Sequence, residues 1–119
     1  MKLFSITFLL FFAKITFAQD VAWRDSTSFD FGEIAHKLET THVFYFTNLL
    51  QDSISIETVR TDCGCTESVW EEKAIAPGKN GYVKVKFDAY NQGYFKKKLK
   101  VYFKSRKKSH KLYITGWVE

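Results

Sequence analysis

The feature that most constrains this chain is the alternation of apolar and polar side chains along most of its length. Thr27 to Phe31 (TSFDF), Val43 to Asn48 (VFYFTN), Ser53 to Arg60 (SISIETVR), Gly81 to Asp88 (GYVKVKFD), Tyr94 to Lys104 and His110 to Val118 all swing with period two. That is the repeat of a strand with one face in a core and the other in water. In GYVKVKFD the inward set is Val83, Val85 and Phe87, with Lys84 and Lys86 outward; in the next run Phe95, Leu99, Val101 and Phe103 face in while Lys96, Lys98, Lys100 and Lys104 face out. Phe44 and Phe46 belong to the same inward class. Lys97 falls on the wrong parity and is expected at a strand end or bulge, its ammonium reaching water along its stem. Turn formers separate the runs at Gly32-Glu33, Asn48 to Asp52, Ala76 to Gly81, Asn91 to Gly93 and Ser105 to Ser109, and the one proline, Pro77, lies in such a turn. Short strands with one apolar face each must bury those faces on one another. The expected fold is therefore all-β: an immunoglobulin-like antiparallel sandwich of about seven strands.

The first eighteen residues do not fit that pattern. Lys2 precedes an apolar run, Leu3 to Ala13, that is shorter than a bilayer crossing, and Thr16 and Ala18 put small residues three and one before Gln19. This is the layout of a cleavable signal peptide, with cleavage expected between Ala18 and Gln19. Residues 1–18 are thus read as a signal peptide and 19–119 as one immunoglobulin-like domain. The protein is expected outside the cytosol, periplasmic or extracellular, with no transmembrane segment. No cysteine stands near the cleavage point, so no lipid anchor is expected. The remaining 101 residues carry 16 Lys+Arg against 13 Asp+Glu, a mild excess of base, and are enough to bury a core without several disulfides or a metal.

Two constellations bear on chemistry. Cys63-Gly64-Cys65 places two thiols around a glycine in a chain read as exported, where oxidant is the norm. Such a pair closes a small disulfide, exchanges with another disulfide, or chelates a soft ion such as Cu(I). A three-residue loop gains only roughly 1.5 kcal/mol from closure, so stability alone is a poor reason for the bond. The histidines His36, His42 and His110 have no recognisable metal spacing relative to the cysteines, which argues against structural zinc. The second constellation is basic: between Lys84 and Lys111 there are eleven Lys or Arg and one acid, Asp88. Lys96, Lys98, Lys100, Lys104, Arg106, Lys107 and Lys108 are the candidates for a positive edge or face, either a patch for an anionic polymer or a solvated surface that guards an edge strand. Tyr82, Tyr90, Tyr113 and Trp117 are the candidates for exposed contact aromatics.

In their order along the chain, FDFGEI (29–34), FYFTN (44–48), CGCT (63–66), IAPGKNGYVKVKFD (75–88), GYFKKKLKVYFKS (93–105) and LYITGWV (112–118) resemble the exported family catalogued as domain of unknown function 1573. That family is similar to the immunoglobulin-like ASH, MSP and Hydin domains. The Lys-rich hairpin from Lys104 to Lys111 departs from the short Asn-containing turn more usual there. The resemblance implies fold, export and an interaction role, and no reaction. The sequence holds no G-x-S-x-G, H-E-x-x-H, C-x-x-C or phosphate-cradling glycine loop. The expectation is a non-enzymatic module, without cofactor, that binds a protein or polymer of the cell envelope. A thiol site at Cys63 and Cys65 and a structural envelope component are the alternatives. Nucleic acid is disfavoured by export and by the lack of any recognised binding motif.

Overall fold

The computed structural model describes residues 19–119. Residues 1–18, which carry the expected export signal and the Ala18 side of its cleavage site, lie outside them. The described residues form eight strands: β1 (Val21–Trp23), β2 (Ser28–Ile34), β3 (Thr40–Asn48), β4 (Ile56–Thr61), β5 (Thr66–Trp70), β6 (Asn80–Phe87), β7 (Gly93–Phe103) and β8 (His110–Val118). They make two four-stranded sheets, ordered β1-β3-β6-β5 and β2-β8-β7-β4. The sandwich expected from the alternation is what forms, and no described helix is long and apolar enough to cross a membrane.

The inward alternations supply the core. Phe44, Phe46, Val83, Val85 and Phe87 from the first sheet meet Phe95, Leu99, Val101, Phe103, Leu112 and Ile114 from the second, all buried. Aromatic rings link the layers: Phe46 meets Phe103 edge to face at 5.4 Å between centroids, and Phe87 stacks on Phe95 at 4.1 Å. Asn48 and Thr66 are the buried polar residues among those described, and Asn48 is the deeper, 1% exposed. Its amide nitrogen donates to the carbonyls of Asp52 (2.8 Å) and Ile75 (2.9 Å), and its side-chain oxygen accepts from the Leu50 amide (2.9 Å). Its backbone also pairs with Lys79 and Gly78. One side chain thus ties the turn after β3 to the loop before β6, which is why F-x-F-x-N ends on Asn.

The structure departs from the alternation reading in four places. β1 and β5 are additional strands: the first has three residues, and the second exposes Val69 among polar neighbours, so neither shows a usable period. The pairing of β2 with β8 is parallel, whereas every other named pair is antiparallel. Gly32-Glu33 does not end a strand. Gly32 adopts a left-handed φ of +71°, its amide bonds the Asp30 carboxylate at 2.8 Å, and the resulting register shift lets β2 continue to Ile34. Lys97 stands at neither an end nor a bulge. It pairs with Ile114 in an unbroken β7–β8 ladder and points between the sheets. Lys97 is half-buried between the buried Phe95 and Leu99 and lines a cavity of about 70 Å³ together with Cys65, Asp88 and Gln92, its long stem carrying the ammonium towards the polar groups there.

Candidate functional site: an open strand edge and a disulfide-closed end

The first segment of the domain changes sheets. β1 pairs with the end of β3, from Val21 opposite Asn48 to Trp23 opposite Phe46; the chain then crosses at Arg24–Thr27, with Asp25 at a φ of +61°, and becomes β2 on the other sheet. The crossing leaves the first half of β3 without a neighbour on that side. The Arg24 amide bonds the Tyr45 carbonyl at 2.8 Å. Because backbone groups alternate sides along a strand, Val43 and Thr41 aim theirs the same way, and no strand meets them there.

Behind this edge lies a slit of about 160 Å³ lined by Phe29, His42, Val43, Phe44, Tyr45 and the crossing residues. His42 fills its floor, stacked on Phe29 at 3.7 Å with 9° between ring planes and edge-on to Phe44 at 4.6 Å. Burial holds the His42 imidazole below its ordinary pKa of 6.5, partly offset by the Asp25 carboxylate. His110 is held low as well, by burial first and the Lys108 charge, against the pull of Asp20; its Nδ1 accepts a long 3.5 Å bond from the Trp23 indole, a bond only the neutral ring can receive. Both rings are therefore neutral in the native state at pH values where the unfolded chain takes up protons. Their stabilising contribution is complete above about pH 6.5 and is lost as pH falls from there through the lower native pKa values. The urea midpoint is expected to be flat between pH 7 and 8 and to decline towards pH 5. A His42→Gln/His110→Gln variant should show a shallower decline, and an equal decline in both proteins would contradict the assignment.

At the other candidate place, Cys63 and Cys65 are joined across Gly64 and close the turn between β4 and β5. Among the described residues there is no free cysteine. Cys65 packs partly against the core, and Cys63 Sγ lies 3.9 Å from Thr66 Oγ1. Lys97 shares the Cys65 cavity, a neighbour the alternation reading placed elsewhere. Its inward parity was the available signal. At the same end Tyr90 is 64% exposed, with Lys97's neighbour loop held by Asp88, whose carboxylate accepts from the Tyr90 amide at 3.0 Å.

The basic candidates do not form one patch. Lys84 and Lys86 decorate the first sheet, where Lys86 pairs with Glu39 at 3.4 Å. Lys96, Lys98 and Lys100 stand on the outer face of the second sheet. Lys104, Arg106, Lys107 and Lys108 belong to the β7–β8 hairpin, where Arg106 pairs with Asp20 at 3.2 Å. Of the candidate contact aromatics, Tyr90 and Trp117 are exposed; Tyr82 and Tyr113 are half-buried.

Residues 22–118 match the family described as a protein of unknown function, DUF1573. The chain belongs to that family. No curated protein matches it. Solved structures that share the fold include a protein of unknown function from Porphyromonas gingivalis W83 (TM-score 0.69, 14% identity, 82% of this chain and 46% of that one). The ASH/PapD-like domain 7 of human CEP192 also superposes (TM-score 0.66, 7% identity, 84% and 85%). A third is the YadV chaperone (TM-score 0.54, 10% identity, 85% and 52%). The DUF1573 domain thus spans about half the length of the Porphyromonas and chaperone chains and most of the CEP192 domain. At these identities the likeness is one of fold: an immunoglobulin-like, PapD-like sandwich.

Proposed function

We propose that this DUF1573 domain is a non-enzymatic, exported interaction module that binds another macromolecule of the cell envelope by adding a partner strand to the open edge of β3. The observation that carries the reading is the unpaired backbone of Thr41 and Val43 beside the Phe29–His42 slit. An extended segment laid there gains main-chain hydrogen bonds from alternate residues and can seat a side chain in the slit. The sandwich folds of the CEP192 and YadV relatives are consistent with an interaction role.

A second reading, disulfide exchange at Cys63–Cys65, is supported by Lys97 in the Cys65 cavity, because a nearby ammonium stabilises a departing thiolate. Copper binding would require that bond to be reduced first. One experiment separates the readings: cross-linking and pull-down from the native envelope with the wild type, Val43→Pro and Cys63→Ser/Cys65→Ser. The Val43 N–H points to the open side, so proline there removes no bond within the domain. Strand addition predicts that Val43→Pro melts close to the wild type yet loses the partner, while the double serine variant keeps it. Recovery of the same partner by Val43→Pro would defeat the edge reading, and a partner lost only with the cysteines would replace it with exchange.

A further inference from the structure

The register of the second sheet assembles a cationic row that alternation along the chain does not reveal. Arg60 on β4 stands opposite Lys100 on β7, and Lys100 stands opposite Lys111 on β8. Their chain neighbours Val59, Leu99, Val101 and Leu112 are buried, so all three charged side chains occupy the outer face. Strands lie about 4.8 Å apart, so three positive charges stand abreast at roughly that interval. Lys98 and Lys96 continue the charge along β7, opposite Tyr113 and Thr115.

The fold does not account for this row. Like charges directly opposite one another across a ladder are destabilising, and neither β7 nor β8 contains an acid. The ion pairs found among the described residues, Lys86–Glu39 and Arg106–Asp20, lie elsewhere. Protection of a sheet edge does not explain Lys100 and Lys111 either, because β7 and β8 are the two inner strands of the order β2-β8-β7-β4; of the three, Arg60 alone stands on an edge strand.

We infer that this face binds a linear polysaccharide carrying carboxylate groups on successive units. The repeated cations match repeated anions along a chain laid across the strands. The flanking tyrosines favour sugar over nucleobase: Arg60 lies over the Tyr102 ring at 5.2 Å and Lys96 over the Tyr113 ring at 5.1 Å. Base stacking needs open ring faces, whereas capped rings keep their hydroxyl edges for hydrogen bonds to sugar hydroxyls. A flat anionic membrane fits less well. Towards the far end of the same face Tyr94 and Trp117 are 68% and 52% exposed, but Asp30 and Glu33 on β2 stand beside them and repel anionic headgroups. The face lies on the sheet opposite the β3 edge, so the two proposals succeed or fail separately.

The test is affinity electrophoresis of the purified protein in gels containing polygalacturonate, with titration calorimetry for the constants. The wild type is expected to be retarded, and Arg60→Gln/Lys100→Gln/Lys111→Gln to bind at least tenfold more weakly. A charge-matched Lys104→Gln/Lys107→Gln/Lys108→Gln variant is expected to stay within about twofold of the wild type, which excludes a net-charge effect. The row variant should melt no lower than the wild type, since it relieves repulsion. The inference is overturned by no retardation of the wild type, by equal losses in the two triple variants, or by a markedly lower melting temperature for the row variant. Tighter binding of oligothymidylate or phosphatidylglycerol vesicles than of polygalacturonate would also overturn it.

Discussion

Replacing Phe103 with alanine is expected to destabilise the domain by about 3–5 kcal/mol, the cost of emptying a ring-sized volume in a packed core. Phe103 is fully buried on the second sheet, edge-on to Phe46 of the first at 5.4 Å and to His110 at 5.2 Å. Phe46 in turn meets Trp23 at 5.1 Å. The ring therefore joins the two layers and the short β1 strand in a single contact chain. Since domains of this size are typically stable by about 5–15 kcal/mol, the variant should retain its fold only narrowly. Equilibrium urea unfolding measures the effect, and a loss under about 1 kcal/mol would mean that the sheets close over the void.

The Asn48→Ala variant is expected to lose about 3 kcal/mol for a different reason. Each of the three hydrogen bonds made by the side chain is worth about 1 kcal/mol net; the Asp52 carbonyl and the Leu50 amide are left to find water, while the Ile75 carbonyl keeps only its bond from the Ile54 amide. Asn48→Asp should be nearly as damaging despite its similar shape, because a carboxylate cannot donate to the two carbonyls. Amide exchange at Leu50 and across residues 75–79 should accelerate in both variants. If the aspartate protein were as stable as the wild type, the two donated bonds would not be what holds the loops together.

The inward residues of β3, β6, β7 and β8 were legible because each strand alternates over five or more positions and the burial of one face forces the parity. Val83, Val85 and Phe87, and likewise Phe95, Leu99, Val101 and Phe103, needed nothing beyond the chain itself. Lys97 shows where parity stops being a guide. It occupies an inward position, where a small cavity lined by Phe87 and Cys65 as well as by its own strand makes room for it, and such a cavity is a property of both sheets. The same holds for β5, whose five residues carry too few alternations to stand out, and for Gly32, whose left-handed backbone keeps a strand going where its composition reads as a turn.

The candidate sites divide the same way. Cys63 and Cys65 are two residues apart, so their pairing is a local matter that the sequence brings within reach. The basic residues are different: local order assigned Lys96, Lys98 and Lys100 to the outer side of a strand, but it could not place Arg60 or Lys111 beside Lys100, since these lie far along the chain and meet only through register. Nor could it separate the hairpin cations from the row.

What the sequence determined by itself was the architecture of alternating strands and the identity of most of the core, because a period of two and the cost of exposing apolar side chains act along the chain. What the tertiary structure alone decided was which strands are neighbours. The parallel β2–β8 pair, the uncovered half of β3 and the Arg60–Lys100–Lys111 row all follow from that choice. Hydrogen bonds between strands join residues remote in sequence, and no local pattern encodes their partners.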